Sequence, residues 1–136
     1  MRRTVEEAWN NGSLAVLDEL TAANYVGHDP ANHNAGRGPD AEKQMVSTYR
    51  TAFPDLEIII DDMVAEGDKV ATRWTARGTH KGDLMGIAST GKQGTTTGIS
   101  IDRIVGGKVE EAWTNWDLLG IMQQLGAVPE MATARA

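Results

Sequence analysis

The residue whose type and surroundings best suit proton transfer is Asp117, at the junction of a predicted strand and a predicted helix. Alternation along the strand places Asp117 on the same face as Trp113 and Asn115. The opposite face of this strand is mostly small or polar, which predicts that the face of Asp117 points inward. Burial of a carboxylate beside an indole ring favours its neutral form, as general acid/base catalysis near neutral pH requires.

The same position also suits a purely structural role for Asp117. Aspartate is a favoured N-cap, and the apolar helical pattern of Leu118, Leu119 and Ile121 follows it directly. Spacing alone favours capping over catalysis, and both interpretations remain open at this point. Substitution with asparagine separates them, because asparagine caps a helix nearly as well as aspartate but cannot transfer the proton.

Several other side chains could assist such a carboxylate as hydrogen-bond donors or as walls of a pocket. In the strand-like segment DKVATRWTARGTH, residues 68–80, Trp74 and His80 share the face opposite the long charged side chains, so both are predicted to point inward. Trp74 suits a core position as well as a ligand platform. Arg103 shares its face with Glu111, and a structural ion pair is favoured over substrate binding. The candidate substrate-binding residues are His80, Trp74, Arg103, Trp113, Asn115, His28 and Met85.

Two long loops are predicted beside these strands. Residues 25–41 contain His28 and His33, both expected near the surface, and residues 81–94 contain Met85 among other apolar residues. Apolar side chains on a glycine-hinged loop suggest a cover over a cavity. Simple anchoring of the loop to the core is an equally good interpretation.

Composition and charge limit the classes of function. A chain of 136 residues suffices for one domain, predicted to span residues 1–136, and its lack of cysteine excludes thiolate chemistry. The net charge of -6 argues against a nucleic-acid partner. No apolar run is long enough to cross a membrane, so a soluble, cytoplasmic protein is expected. The three histidines are scattered and no glycine-rich phosphate loop opens a helix, so no metal and no cofactor are expected.

Helical patterns precede strand patterns along the chain, and this order predicts the fold class. Helices are predicted over MRRTVEEAWNNG, SLAVLDELTAA and PDAEKQMVSTYRTAF, and strands over LEIIIDDMVAEG, DKVATRWTARGTH and the final hairpin. A three-residue turn at Gly107 is predicted to pair Ile104 with Lys108 in that hairpin. The order is typical of an α+β domain in which a cone-shaped, curved antiparallel sheet carries helices on its concave face. Such a cone can hold a small ligand.

Most of the chain resembles one protein family. The resemblance lies in WNNGSLAVLDELTAANYVGHDP and in the run from GDKVATRW to IMQQLG, residues 67–126. Its most specific parts are Gly78-Thr79-His80, the Gly-Lys turn before Glu111-Ala112-Trp113, and the segment from Asp117 to Gly126. These segments closely resemble the SnoaL-like polyketide cyclases, also called ester cyclases, of the nuclear transport factor 2 superfamily. The resemblance implies an α+β barrel with a pocket inside.

The resemblance also implies an activity. In the characterised cyclases the aspartate that matches Asp117 is the general acid/base of an intramolecular aldol condensation, which closes the last ring of an aromatic polyketide ester without metal or cofactor. Where those enzymes carry Gln and His, this chain has Ile101 and Arg103, so these two partners do not carry over. The alternatives are another cofactor-free isomerase or hydrolase on the same cone, and a non-catalytic small-molecule-binding module.

The resemblance has consequences for partners as well. The expected ligand is a small hydrophobic, aromatic polyketide-like substrate, and the expected assembly is a homodimer or homotetramer. Trp116, on the strand face opposite Asp117, is predicted to belong to the exposed sheet surface through which the copies associate.

Overall fold

The structure is a computed structural model that describes residues 2–32 and 36–128, so His33 lies outside the described residues. No helix within the described ranges is long and apolar enough to cross a membrane. The elements, in chain order, are a π-helical segment Thr4–Asn10, α1 Ala15–Leu20, β1 Thr21–His28, α2 Gly38–Ala52, β2 Glu57–Glu66, β3 Lys69–Thr79, β4 Gln93–Val105, β5 Lys108–Trp116 and α3 Leu118–Gln124.

The strands form one sheet in the order β1-β5-β4-β3-β2. Strands β2, β3, β4 and β5 pair with one another in antiparallel fashion, as predicted. The edge strand β1 runs parallel to β5. The sheet is curved and does not close, and the helices pack against it. The predicted α+β class is therefore confirmed.

Strand β1 corrects the assignment of residues 21–28 from sequence. The sequence pattern continues a helix to residue 23 and begins a loop at residue 25, but the helix ends at Leu20 because Thr21 adopts extended dihedral angles of -114° and 129°. The strand then pairs Gly27 with Ala112 on β5. A local pattern cannot reveal such a strand, since its backbone partners lie near the other end of the chain.

The hairpin of β4 and β5 has a tighter turn than predicted. Val105 pairs with Lys108 around Gly106 and Gly107, whose φ angles of 59° and 78° are those of a two-residue turn. The predicted three-residue turn is therefore wrong. A bulge between Arg103 and the following residue compensates, so that Glu111, Trp113 and Asn115 share the face of Ile101 as predicted. Val109 lies on the other side of the bulge and is buried with Ala112, so its predicted face is wrong.

The two faces of this hairpin point in the direction opposite to the prediction. Ser100 and Asp102 are buried, with 9% and 4% of their surface exposed, whereas Ile99 and Ile101 are 53% and 40% exposed. The small and polar set therefore faces the helices, and the set that includes Asp117 faces outward.

Crowding on the concave side explains this inversion. A Cβ atom on Gly98 would collide with the ring of Trp74, and a Cβ atom on Gly94 would lie 2.9 Å from Ile121 of α3. Small residues on β4 therefore leave room for large side chains that come from other elements. Trp74 faces the interior, as predicted from the alternation in β3.

The core lies between the helices and the sheet, and the β3–β4 loop is anchored to it. Leu84 of this loop is 1% exposed and exchanges backbone hydrogen bonds of 3.0 and 2.8 Å with Ile87. Met85 and Gly86, with φ angles of 50° and 83°, form the turn between them. Other buried members of the core are Leu17, Val46, Tyr49, Ala52, Phe53, Ile121, Met122 and Leu125.

Candidate active site

A largely apolar cavity of about 120 Å³ opens between α2 and the inner face of the sheet. Aromatic rings from five elements form much of its wall, and an apolar wall of this kind suits a flat hydrophobic ligand. Asp29 is the one acidic side chain among the described residues that line it. The principal lining residues are Trp9, Tyr25, Gly27, His28, Asp29, Met45, Tyr49, Phe53, Leu56, Ile58, Trp74, Leu84, Thr96, Ala112, Thr114, Trp116 and Ile121.

Asp29 follows β1 directly and is held in place by its neighbours. Its Oδ2 atom accepts hydrogen bonds from Trp116 Nε1 at 3.1 Å and Asn32 Nδ2 at 2.8 Å, and its Oδ1 atom accepts one from the Ala31 N–H at 2.8 Å. The hydroxyl of Tyr49 donates to Asn32 Oδ1 at 3.0 Å, which fixes the amide. The carboxylate is thus oriented at the cavity wall by donors from a turn and a strand, and a helix residue holds one of these donors in place.

The local sequence explains why the chain turns at this point. An aspartate followed by a proline favours a tight turn, because proline fixes φ and the aspartate side chain can accept from the backbone two residues later. In Asp29-Pro30-Ala31-Asn32 the Asn32 N–H donates to the carbonyl of Asp29 at 2.9 Å. The turn therefore places the carboxylate at the end of the strand, beside Trp116.

Neutral donors continue along the inner face of the sheet. The indole N–H of Trp74 donates to Ser100 Oγ at 3.1 Å, and the hydroxyls of Ser100 and Thr114 hydrogen-bond each other at 3.1 Å. Thr114 and Trp74 line the cavity. The inner face therefore offers hydroxyl groups to a ligand without adding charge.

A second group of polar side chains lies next to the cavity, around Tyr25. Asp102 is almost fully buried, and burial raises the pKa of its carboxyl to about 7. Burial, together with the nearby Asp102 carboxyl, also raises the pKa of Glu42 to about 7. Burial likewise raises the pKa of Tyr25, which lines the cavity. Within residues 2–32 and 36–128 no three His, Cys, Asp or Glu side chains converge as a metal site requires.

Comparison with known proteins identifies the family of this chain. The model of the SnoaL-like polyketide cyclases matches residues 1–125. The chain belongs to the SnoaL-like polyketide cyclase family. It is 31% identical over 127 residues to the aklanonic acid methyl ester cyclase DnrD of Streptomyces peucetius, covering 91% of this chain and 87% of that protein. It is 28% identical over 120 residues to the nogalonic acid methyl ester cyclase of Streptomyces nogalater, covering 88% and 90%.

A solved structure agrees with this membership of the SnoaL-like family. TsrD from Streptomyces laurentii superposes with a TM-score of 0.82 at 32% identity, covering 90% of this chain and 89% of that one. The agreement covers the sheet and the helices that enclose the cavity, because it spans nearly the whole chain. The resemblance inferred from the sequence motifs is therefore confirmed at the level of family and fold.

In this SnoaL-like family member, Asp117 lies outside the cavity. Its side chain is exposed and caps α3, with Oδ1 accepting the Gly120 N–H at 2.8 Å. The predicted inward direction of Asp117 is wrong, because alternation turns its neighbour Trp116 toward the cavity instead. The predicted association surface at Trp116 is wrong for the same reason. The catalytic role of Asp117 stays a prediction.

Two predicted substrate-binding residues, Trp74 and His28, do line the cavity. The exposed ring of His28 stacks on Trp113, with ring centroids 5.6 Å apart, and its Nε2 atom lies 2.6 Å from Glu111 Oε2. Trp113 itself faces outward and lies under the ammonium group of Lys69, 5.9 Å from the ring centroid. Its predicted inward direction is therefore wrong.

The other predicted substrate-binding residues lie away from the cavity wall. His80 is fully buried and packs against Phe53, and its Nδ1 atom accepts the Thr90 N–H at 3.3 Å, so it holds the β3–β4 loop. Asn115 and Met85 are exposed.

Arg103 forms ion pairs on the outer face of the sheet. Its guanidinium lies 3.4 Å from Glu110 and 3.2 Å from Glu111. The predicted structural pair between Arg103 and Glu111 is confirmed, whereas the predicted inward direction of Arg103 is wrong. Its charge is matched by these two carboxylates on the side of the sheet away from the cavity.

Sequence reasoning missed several residues of the cavity wall, among them Asp29, Trp116 and Tyr25. The Asp-Pro pair within NYVGHDP is a turn signal that could have singled out Asp29 at the end of an extended segment. No local signal identifies Tyr25, because its direction depends on the parallel pairing of β1 with β5.

Proposed function

We propose that this protein is a cofactor-free cyclase that closes a ring in an aromatic polyketide ester by intramolecular aldol condensation. The observation that carries the proposal is an apolar cavity whose wall contains one oriented carboxylate, Asp29. Membership of the cyclase family supports it, as does the similarity to two methyl ester cyclases. A substrate of this class is flat and largely apolar, which matches the aromatic wall.

In the proposed reaction Asp29 acts as the base. Its carboxylate removes a proton from the carbon next to a carbonyl, and the electron pair of that C–H bond forms an enolate. The enolate carbon then attacks a second carbonyl carbon of the same molecule, so that a C–C bond forms while the C=O π bond becomes an alkoxide. The protonated Asp29 returns its proton to the alkoxide. Substrate and product have the same composition, and the enzyme ends in its starting state.

Positioning supplies a large part of the expected acceleration. Both reacting carbons belong to one substrate molecule. If the cavity holds the side chain of the substrate folded against its ring, a rare conformation of the substrate becomes a populated one. The rings of Trp74 and Trp116 offer flat apolar surfaces for this purpose. Apolar walls also exclude water, which would otherwise return a proton to the enolate before the enolate attacks the second carbonyl.

Two carboxylates are candidates for the general acid/base in this proposal. The family resemblance assigns the role to Asp117, and the position in the cavity wall favours Asp29. Asp117 is occupied as the N-cap of α3, whereas Asp29 lies beside the apolar space that the substrate would fill. We therefore assign the role to Asp29 and use Asp117 as the comparison in the variant experiment.

The activity itself is tested with an aromatic polyketide methyl ester that carries a reactive ketone. Ring closure leaves the mass unchanged and alters the chromophore, so chromatography with absorbance and mass detection distinguishes it from hydrolysis, which releases methanol. We expect closure faster than in buffer, also in the presence of a chelator. Ester hydrolysis would indicate a hydrolase instead, and binding without turnover over a panel of such esters would indicate a binding module.

We also propose that the protein self-associates through the outer face of its sheet. A row of apolar residues crosses this face, because Val64, Ala71, Ile101 and Trp113 are paired neighbours on β2, β3, β4 and β5. Val64 and Ile101 are 61% and 40% exposed. Contiguous exposed apolar surface of this kind marks an interaction site, and a homodimer or homotetramer fits the expectation from the family.

Replacing Ile101 with glutamate is expected to produce a monomer, because the charge would be buried in the proposed interface. Light scattering coupled to gel filtration measures the change. Val105→Glu is the matched control, since Val105 is similarly exposed but lies at the hairpin turn. A monomeric wild-type protein, or equal dissociation of both variants, contradicts the proposal.

A further inference from the structure

We propose that Tyr25 is a second catalytic residue, whose hydroxyl donates a hydrogen bond to the oxygen that becomes negatively charged in the substrate. We further propose that Glu42 and Asp102 are positioning residues that decide when this hydroxyl can turn to the substrate. The inference deepens the proposed function and rests on it for the identity of the substrate. It concerns groups that the proton transfer by Asp29 does not use.

The geometry of β1 brings the Tyr25 hydroxyl to the cavity. Tyr25 is 7% exposed and lines the cavity together with Gly27, two residues later on the same strand. A Cβ atom on Gly27 would lie 2.7 Å from the Tyr25 hydroxyl oxygen. The hydroxyl therefore occupies the space left by the absent side chain of Gly27, at the boundary of the cavity.

Small residues also connect this hydroxyl to a buried carboxyl group. Gly27 pairs with Ala112 on β5, and Ala112 pairs with Asp102 on β4, so the three residues form one row across the sheet. Asp102 is 4% exposed, and its Oδ2 atom has no hydrogen-bond partner among the described residues. A second buried carboxyl oxygen without a partner, Glu42 Oε2, comes from α2.

Among the described residues, neither Glu42 nor Asp102 forms an ion pair with a side-chain cation. The carboxyls of Asp29 and Asp102 both disfavour charge on Glu42, and burial disfavours it most. Lys43, the next residue on α2, is paired with Asp18 of α1 at 2.7 Å. Burial is the chief influence on the pKa of Asp102. The Asp102 carboxyl therefore opposes ionisation of Glu42, and the two titrations are linked.

The protonation state of Glu42 sets the direction of the Tyr25 hydroxyl. Burial and the carboxyls of Glu42, Asp102 and Asp29 raise the pKa of Tyr25, so the phenol stays neutral and has one proton to donate. When Glu42 is ionised, its carboxylate can accept that proton, since the two side chains affect each other's pKa through a hydrogen bond. When Glu42 is protonated, its own O–H can donate to the tyrosine oxygen, and the tyrosine proton is available to the cavity. A neutral donor in an apolar site stabilises a developing oxyanion strongly.

Binding of an oxyanion mimic tests this inference without relying on turnover. The probe is 2,4-dinitrophenolate, which remains an anion throughout the neutral range, and 1,3-dinitrobenzene is the matched neutral compound. In the wild type the affinity for the phenolate is expected to fall as pH rises through about 7, where Glu42 ionises. Tyr25→Phe is expected to lose about ten- to a hundred-fold in affinity at the acidic end and to bind independently of pH. The neutral compound should show neither effect.

Variants of the two carboxyls distinguish positioning from a structural role. Glu42→Gln cannot ionise, so it is expected to retain tight phenolate binding at alkaline pH. Asp102→Asn removes a charge that disfavours ionisation of Glu42, so the loss of affinity should move to lower pH. Glu66→Gln, at an exposed carboxyl at the end of β2, is the control and should follow the wild type.

Three results would overturn the inference. One is a Tyr25→Phe protein that keeps the wild-type affinity and pH dependence for the phenolate, which would indicate charge repulsion alone. The others are a Glu42→Gln protein with the wild-type pH dependence, and a wild type with no pH-dependent preference for the phenolate. The expected binding pattern without ring closure would contradict the proposed function alone, and ring closure without the binding pattern would contradict this inference alone.

Discussion

Replacing Asp29 with asparagine is expected to lower the turnover number for ring closure by about a hundred- to ten-thousand-fold, the usual cost of losing a general acid/base. Asparagine has nearly the same shape, so the cavity should keep its form. The new amide has one acceptor oxygen instead of two, so it cannot accept from Trp116 and Asn32 and from the Ala31 N–H at the same time. The free energy of unfolding should therefore also fall, by about 1–3 kcal/mol. Initial rates at saturating substrate, with circular dichroism as a check on folding, measure both effects.

Asp117 supplies the matched comparison for this experiment. As an exposed N-cap it can be replaced by asparagine with little change in stability or turnover, whereas alanine should cost about 1 kcal/mol of unfolding free energy. The two Asp→Asn variants therefore have opposite expected outcomes. An Asp117→Asn protein that loses turnover while Asp29→Asn retains it would transfer the acid/base role to Asp117, as the family resemblance implies.

Replacing Asp102 with asparagine is expected to remove much of the pH dependence of stability. The pKa of Asp102 rises from an ordinary value of 3.8 to about 7 on folding, so between these values the native state holds more protons than the unfolded state. The stability contribution is thus fully present below the unfolded pKa and is lost as pH rises through about 7. The full loss corresponds to on the order of 4 kcal/mol.

The measurement is urea unfolding of wild type and Asp102→Asn at about pH 5 and about pH 8.5, on either side of the native pKa of about 7, so that it captures most of the expected loss. An amide at this buried site can lower stability equally at both pH values, so the informative quantity is the difference between them. This difference should shrink in the variant, because only Glu42 remains to titrate there. Glu66→Gln should leave it unchanged. A variant with the full wild-type difference would show that Asp102 is not the titrating group.

Several features of this protein follow from local sequence alone. Gly106 and Gly107 specify a hairpin turn because a glycine pair adopts positive φ without strain, and alternation assigns Ile101 and Trp113 to one face. The family motifs specify the fold, since they span most of the chain. Capping by Asp117 also follows locally, because the donor that it binds is only three residues away.

Tertiary structure alone decided which face of the hairpin meets the helices. The face with Ile99 and Ile101 is the more apolar one, so burial of apolar area favours placing it inward. The concave side, however, is filled by Trp74 and by residues from other elements, and only small residues such as Gly98 leave room for them. Packing volume therefore overrides the polarity of a single strand.

The position of the proposed base was also decided by tertiary structure. Asp29 lies at the cavity because β1 pairs in parallel with β5. Trp116, at the end of β5, then donates a hydrogen bond to its carboxylate. The sequence contains the Asp-Pro turn and Trp116, but no local interaction determines which strand the edge strand joins. That choice depends on backbone hydrogen bonds and contacts between opposite ends of the chain, which exist only in the folded protein.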